Sequence, residues 1–201
     1  DFILKKMRKK MPDITDENAE IILYGLQLII GELPKTILLF AIGFIIGMGW
    51  YMIFAFIAIM PYRAVSGGFH LHTHIGCILS TVVFFYGDIF ISKYLVLDDI
   101  QRYILVALSF IFGILMVSMY APADTEDVPI ISKRERKLKK ILSYIMLTLT
   151  LGASLIIKDQ ILSNILLVGS IFQSISISRL AYIITKNKYG HEVYAKQQLE
   201  N

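Results

Sequence analysis

Between residues 66 and 77 the sequence reads SGGFHLHTHIGC, which gathers two glycines, three of the chain's four histidines and its only cysteine. A thiol beside an imidazole is the common equipment for attacking a carbonyl, with the histidine acting as general base or, as the imidazolium, favouring the thiolate. His74 stands three residues before Cys77 and would face it on a regular helix. His70 stands seven before, about 10 Å along a helix axis, and reaches the sulfur only where the chain folds back. Gly67 and Gly68 make the backbone angles for such a fold available. A metal reading competes, since His70, His72 and His74 alternate as on one side of a strand and with Cys77 offer four zinc-type ligands. Their mostly single-residue spacing does not match the common zinc spacings, so neither metal nor cofactor is expected. The bland reading is a set of interfacial histidines beside a buried thiol.

The elements that must position these residues are apolar. The chain has 201 residues, 56% of them hydrophobic, and a mean hydropathy of +0.63. Its apolar residues come in blocks, which predicts an all-α integral membrane protein in a single membrane domain, 1–201, with about six hydrophobic helical segments. Thr36 to Met60 is an uncharged run of 25 residues, long enough to cross a bilayer as one helix. Tyr103 to Ala123, Ile141 to Ile157 and Ile161 to Ser178 are further spans, the last two separated by the short turn Lys158, Asp159, Gln160. Ile75 to Ile91 is another, with Asp88 near its far end, where an acid reaches the interface at lower cost. Asn18 to Leu33 is weaker and is expected to span or to lie in the interface, with Pro34 marking a turn after it. Were it to lie flat, the 36–60 run would re-enter on its own side, bending at Gly43, Gly47 or Gly49. The single cysteine implies no intramolecular disulfide, and DFILKKMRKK at the start shows no signal-peptide pattern.

Basic residues set the orientation, because Lys and Arg in short loops collect on the cytoplasmic side. With six crossings both termini share one side. That side holds sixteen of the 20 basic residues: five in the segment 1–17, Arg63, six from Lys133 to Lys140, and Arg179, Lys186, Lys188 and Lys196. The other side holds Lys35, Lys93, Arg102 and Lys158. The loop 61–74 with its histidines, the polar and basic loop 122–140 and the tail 179–201 are therefore expected in the cytoplasm of a multi-pass plasma-membrane protein. Cys77 would lie in the first turn of the helix that starts near Ile75, where unpaired N–H groups and the helix dipole favour an anion.

The segment RAVSGGFHLHTHIGC resembles the active-site segment of the AgrB family, the bacterial membrane peptidases that process quorum-sensing propeptides. The shared features are its Arg, its Gly pair and a His followed seven residues later by Cys. A second stretch, APADTEDVPI from Ala121 to Ile130, resembles that family's Ala-Pro loop, and basic residues follow it as they do in the family. His72 and His74 lie outside the family pattern. The resemblance implies Cys77 as nucleophile and His70 as its base, in a two-step acyl transfer. Cys77 attacks a backbone carbonyl of a short precursor, releases its C-terminal tail and keeps the rest as a thioester, which a thiol or hydroxyl of the precursor then opens to close a thiolactone or lactone. A site at the membrane boundary would keep water from that thioester.

Supporting roles follow with their alternatives. Arg63 would anchor a substrate carboxylate, brace the loop or simply anchor a span end. Asp124 would orient His70 or act as a turn residue after Pro122. Backbone N–H groups near Cys77 would form the oxyanion hole, with Ser80 either a polar neighbour or bonded within its own helix. The run KRERKLKK, with Lys133, Arg134, Arg136 and Lys137, is a positive-inside determinant contacting anionic lipid. Since family precursors carry an amphipathic leader and an acidic tail, it would also steer substrate. The expected partners are such a propeptide, membrane lipids and, from family behaviour and the glycine-rich GFIIGMG, a second copy of the chain; no nucleic acid is expected. A non-catalytic exporter, or a metal- or pH-sensing membrane protein, is the alternative, disfavoured because no span carries a pair of midplane charges.

Overall fold

The computed structural model describes residues 16–71, 73–126 and 128–200; most of the basic N-terminal segment and His72 lie outside them. The chain divides into two units, residues 1–49 and 50–201. Among the described residues all regular structure is helical and no strand occurs.

The first unit is α1, Asp16–Ile45. Its course corrects two expectations. Pro34 lies inside the helix rather than at a turn, as membrane helices tolerate where local adjustments re-satisfy the backbone. The 36–60 run is also not one helix, because α1 stops at Ile45 and α2, Gly49–Ser66, begins after a break. The break is a Schellman closure. Gly47 sits at φ 75°, its N–H bonds the Phe44 carbonyl (3.2 Å), and Met48 N–H bonds the Gly43 carbonyl (2.7 Å).

In the second unit α2 is followed by α3, His74–Tyr94, α4, Asp99–Tyr120, α5, Lys133–Ile156, and α6, Gln160–Ser176, with short helices α7, Arg179–Ile184, and α8, Gly190–Glu200, in the tail. α2 to α5 are each long and apolar enough to cross a membrane, and Leu33–Ile45 and α6 are shorter apolar stretches. The protein is thus an all-α membrane protein with about six hydrophobic segments, as its composition requires. Side-chain caps start the helices: Thr73 for α3, Asp98 with Gln101 as a capping box for α4, Ser132 for α5, Asp159 for α6. Two expected loops are shorter than their sequence suggests. α2 continues through Arg63 to Ser66, and the basic run 133–140 is already helical.

The centre of this unit is α6, which packs against α3, α4, α5 and α7 and is buried on nearly all sides. Around it the outer helices turn small residues inward and large ones outward, as lipid-facing helices do. On α4, Val106, Ser109, Gly113 and Val117 are buried, while Ile104, Leu108, Ile111, Leu115 and Met119 are exposed. Leu147 of α5 fills the space beside Gly113. Asp88 faces the protein interior. It is fully buried, accepts a bond from Ser92 (3.2 Å) and lies against Gly169 of α6.

Candidate active site

The two polar motif segments, more than fifty residues apart in sequence, are joined backbone to backbone. Ser66 to Gly68 and Ala123 form a short parallel bridge, in which Ala123 N–H bonds the Ser66 carbonyl (2.8 Å) and Gly68 N–H bonds the Ala123 carbonyl (3.0 Å). Gly67 at φ 75° and Gly68 at φ 142° make the turn. A Cβ on Gly67 would run into the Ala123 carbonyl, so the close approach and the left-handed angle both call for glycine.

Arg63 braces this turn. Its guanidinium donates to the Phe69 carbonyl (3.2 Å) and to Gln173 Oε1 (3.2 Å), and it lies over the Phe84 ring. Of the roles expected for Arg63, the geometry supplies the bracing one. Gln173, on α6 and fully buried, donates in turn to Ser66 Oγ (2.8 Å) and the Gly67 carbonyl (2.7 Å). Phe69 N–H reaches the Ser176 carbonyl at the end of α6 (3.4 Å). His70 follows at once and is exposed.

Cys77 is half-buried in the first turn of α3, as its spacing predicts, and His74 opens the same helix. Thr73 caps it, its Oγ1 accepting from Gly76 N–H (3.1 Å) and its carbonyl from Cys77 N–H (2.9 Å). Those two amides are therefore bonded to Thr73 within the first helical turn. Ser80 and Thr81 hydroxyls both donate to the Cys77 carbonyl (3.0 and 2.9 Å), so Ser80 takes the intrahelical role. Arg63, Phe69, Ser80, Thr81, Phe84 and Phe85 line one small pocket. The turn that delivers His70 and the helical turn that follows Cys77 thus face a common space.

Asp124 is buried, and its histidine partner is one the sequence did not single out. His191, at the start of α8, sets its Nδ1 2.7 Å from Asp124 Oδ1 and donates its backbone N–H to Oδ2 (3.0 Å). Ile130 N–H (2.9 Å) and Arg136 (3.3 Å) also donate to Oδ2. Arg136 further reaches the Pro122 carbonyl (3.4 Å), so one of the four steering candidates faces the loop, while Lys133, Arg134 and Lys137 are exposed. The Tyr182 phenol donates to the Ala123 and Asp124 carbonyls (2.9 and 3.1 Å). Burial, with Tyr189 and Asp124 nearby, pushes its ionisation up and keeps it a donor. Asp124→Asn removes the charge from these bonds and turns an N–H₂ group toward other donors. It should lower stability by about 1–3 kcal/mol, read as a drop in the thermal midpoint in detergent with loss of amide protection at His191.

Comparison with known proteins gives a consistent result. The sequence model of the family described as Accessory gene regulator B (AgrB) matches residues 1–177. An AgrB-like protein of Listeria monocytogenes is 28% identical over 198 residues, covering 96% of this chain and 92% of its own. One from Clostridium acetobutylicum is 29% identical over 177 residues, covering 86% and 83%. The accessory gene regulator protein B of Staphylococcus aureus is 31% identical over 153 residues, covering 76% and 79%. No solved structure matches.

Proposed function

The chain belongs to the accessory gene regulator B family, and from that premise we propose that it is a membrane cysteine endopeptidase that trims and cyclises a quorum-sensing propeptide. The observation that carries the reading is the backbone bridge between Gly67 and Ala123. It draws the two family motifs into one structure, beside the helix start that holds Cys77. In this reading the loop faces the cytoplasm of a bacterial plasma membrane.

Cys77 Sγ attacks the carbonyl of the scissile peptide bond while His70 takes the thiol proton. The C–N bond breaks, the tail's amine leaves with that proton, and the precursor's remaining part stays on Cys77 as a thioester. A thiol or hydroxyl within the precursor then attacks the thioester carbonyl. The C–S bond to Cys77 breaks, the ring closes, and the proton released by the attacking group returns to the Cys77 sulfur through His70. The thioester preserves the activation that hydrolysis would discard.

The test supplies purified protein in detergent or liposomes with candidate precursors, short peptides carrying Cys or Ser a few residues before an acidic tail. Release of the tail by mass spectrometry supports the reading. A protein that instead binds zinc stoichiometrically and needs it for activity would favour the metal-binding alternative.

Steering by the basic run makes a separate, salt-sensitive prediction. Lys133, Arg134 and Lys137 are exposed on the first turns of α5, available to an acidic tail. Changing all three to Gln should raise KM several-fold at low ionic strength and leave kcat alone. The difference from wild type should shrink as salt rises toward about 0.5 M. An equal loss of kcat at every salt concentration would assign the run to the fold rather than to substrate capture.

A further inference from the structure

Gln173 is a buried amide in an apolar helix, and its hydrogen-bond inventory leaves it one orientation. Ser66 Oγ spends its proton on the Tyr62 carbonyl (2.7 Å), so toward Gln173 it can only accept. The Gly67 carbonyl, 2.7 Å away, also only accepts. The Arg63 guanidinium, 3.2 Å from the other side of the amide, only donates. One side chain that both donates and accepts is therefore required, and among residues of this length glutamine supplies it. An apolar residue there would take the donor from the Gly67 carbonyl and one acceptor from Arg63, and a glutamate would set a carboxylate against the Gly67 carbonyl.

These bonds fall on the residues that set the chain's direction into His70. Gly67 carries the left-handed turn. Arg63, held by Gln173, holds the Phe69 carbonyl, which belongs to the peptide bond just before His70. Resting on the reading that His70 and Cys77 form the reacting pair, we propose that Gln173 is a positioning residue of the active site, the α6 anchor that aims the Gly67–Phe69 turn and so places His70 toward Cys77. It touches no reacting atom and acts through Arg63 and the turn.

Because Cys77 is the only cysteine, its alkylation by iodoacetamide reads the pair without a precursor. The rate is measured against pH for wild type, Gln173→Met, Gln173→Glu and His70→Ala, each as the full chain in detergent and checked for monodisperse elution. Near neutral pH, where an ordinary thiol is only about 3% thiolate, Gln173→Met should slow alkylation by up to roughly 30-fold, toward the His70→Ala value. At about pH 10, where an ordinary thiol ionises without help, it should match wild type. Gln173→Glu, which keeps the acceptor for Arg63, should fall between and carries the test if Gln173→Met does not fold. In the His70→Ala background the Gln173 change should have no further effect. A Gln173 variant that superimposes on wild type while His70→Ala does not, or one that slows alkylation equally with and without His70, overturns the inference alone. A His70→Ala profile identical to wild type removes the reacting pair and the inference with it.

Discussion

Gly67→Ala is expected to lower tail release by roughly 100-fold or more and to destabilise the protein by about 3 kcal/mol. The methyl group meets two penalties at once. A φ of 75° costs an alanine about 1–2 kcal/mol, and the space a Cβ would need is already filled by the Ala123 carbonyl. Relief comes only by parting the turn from the Ala-Pro loop, which breaks the bonds of Gly68 and Ala123 to one another's segments. The comparison is Gly152→Ala. Gly152 lies within α5, has no positive φ and has open space where a Cβ would stand, so tail release should be unchanged and stability equal or slightly higher. Thermal unfolding in detergent and release kinetics on the two variants check the pair. Equal behaviour of both would mean that the bridge between the motifs does not matter to the reaction.

A second large effect is expected at the reacting pair. Cys77→Ala should abolish tail release, a loss of at least about 1,000-fold, because the remaining groups bind and orient but cannot form the acyl intermediate. His70→Ala should cost roughly 100- to 10,000-fold, the range for losing a general base. His74→Ala should cost little, although His74 shares the first turn of α3 with Cys77. The contrast has physical content. His70 leaves a turn held by Arg63 and by the end of α6, whereas His74 is the first residue of α3. Release that survives His70→Ala and fails in His74→Ala would assign the base to local helical spacing.

Much of the fold was legible because hydrophobic runs are local. The spans near 75–91, 103–123 and 161–178 match α3, α4 and α6 within a few residues, while α5 begins eight residues before the expected 141–157. The 36–60 run misled because hydropathy does not register a Schellman glycine, and Gly47 is one apolar-looking residue in an uncharged stretch. The basic run read as a loop from its charge, although Ser132 followed by Glu135 is the signature of a helix start.

Within the candidate site, Cys77 and the two motifs were visible as local patterns, and Cys77 does lie in the first helical turn. The bridge joining the motifs was not visible, since backbone pairing between segments so far apart leaves no mark in either. Gln173 and His191 were missed for the same reason. Each matters through a partner more than sixty residues away, Gln173 through Ser66 and Gly67 and His191 through Asp124. The one available hint was a long polar side chain within an apolar span, where a buried amide must find donors and acceptors.

The most direct measurement is the mass of the protein during turnover. Wild-type protein mixed with a cleavable precursor and quenched in acid within the first turnover should carry an adduct on Cys77. Its mass should equal that of the precursor less the released tail, and hydroxylamine should remove it. Tail release without any such adduct, continuing in Cys77→Ala, would contradict the account.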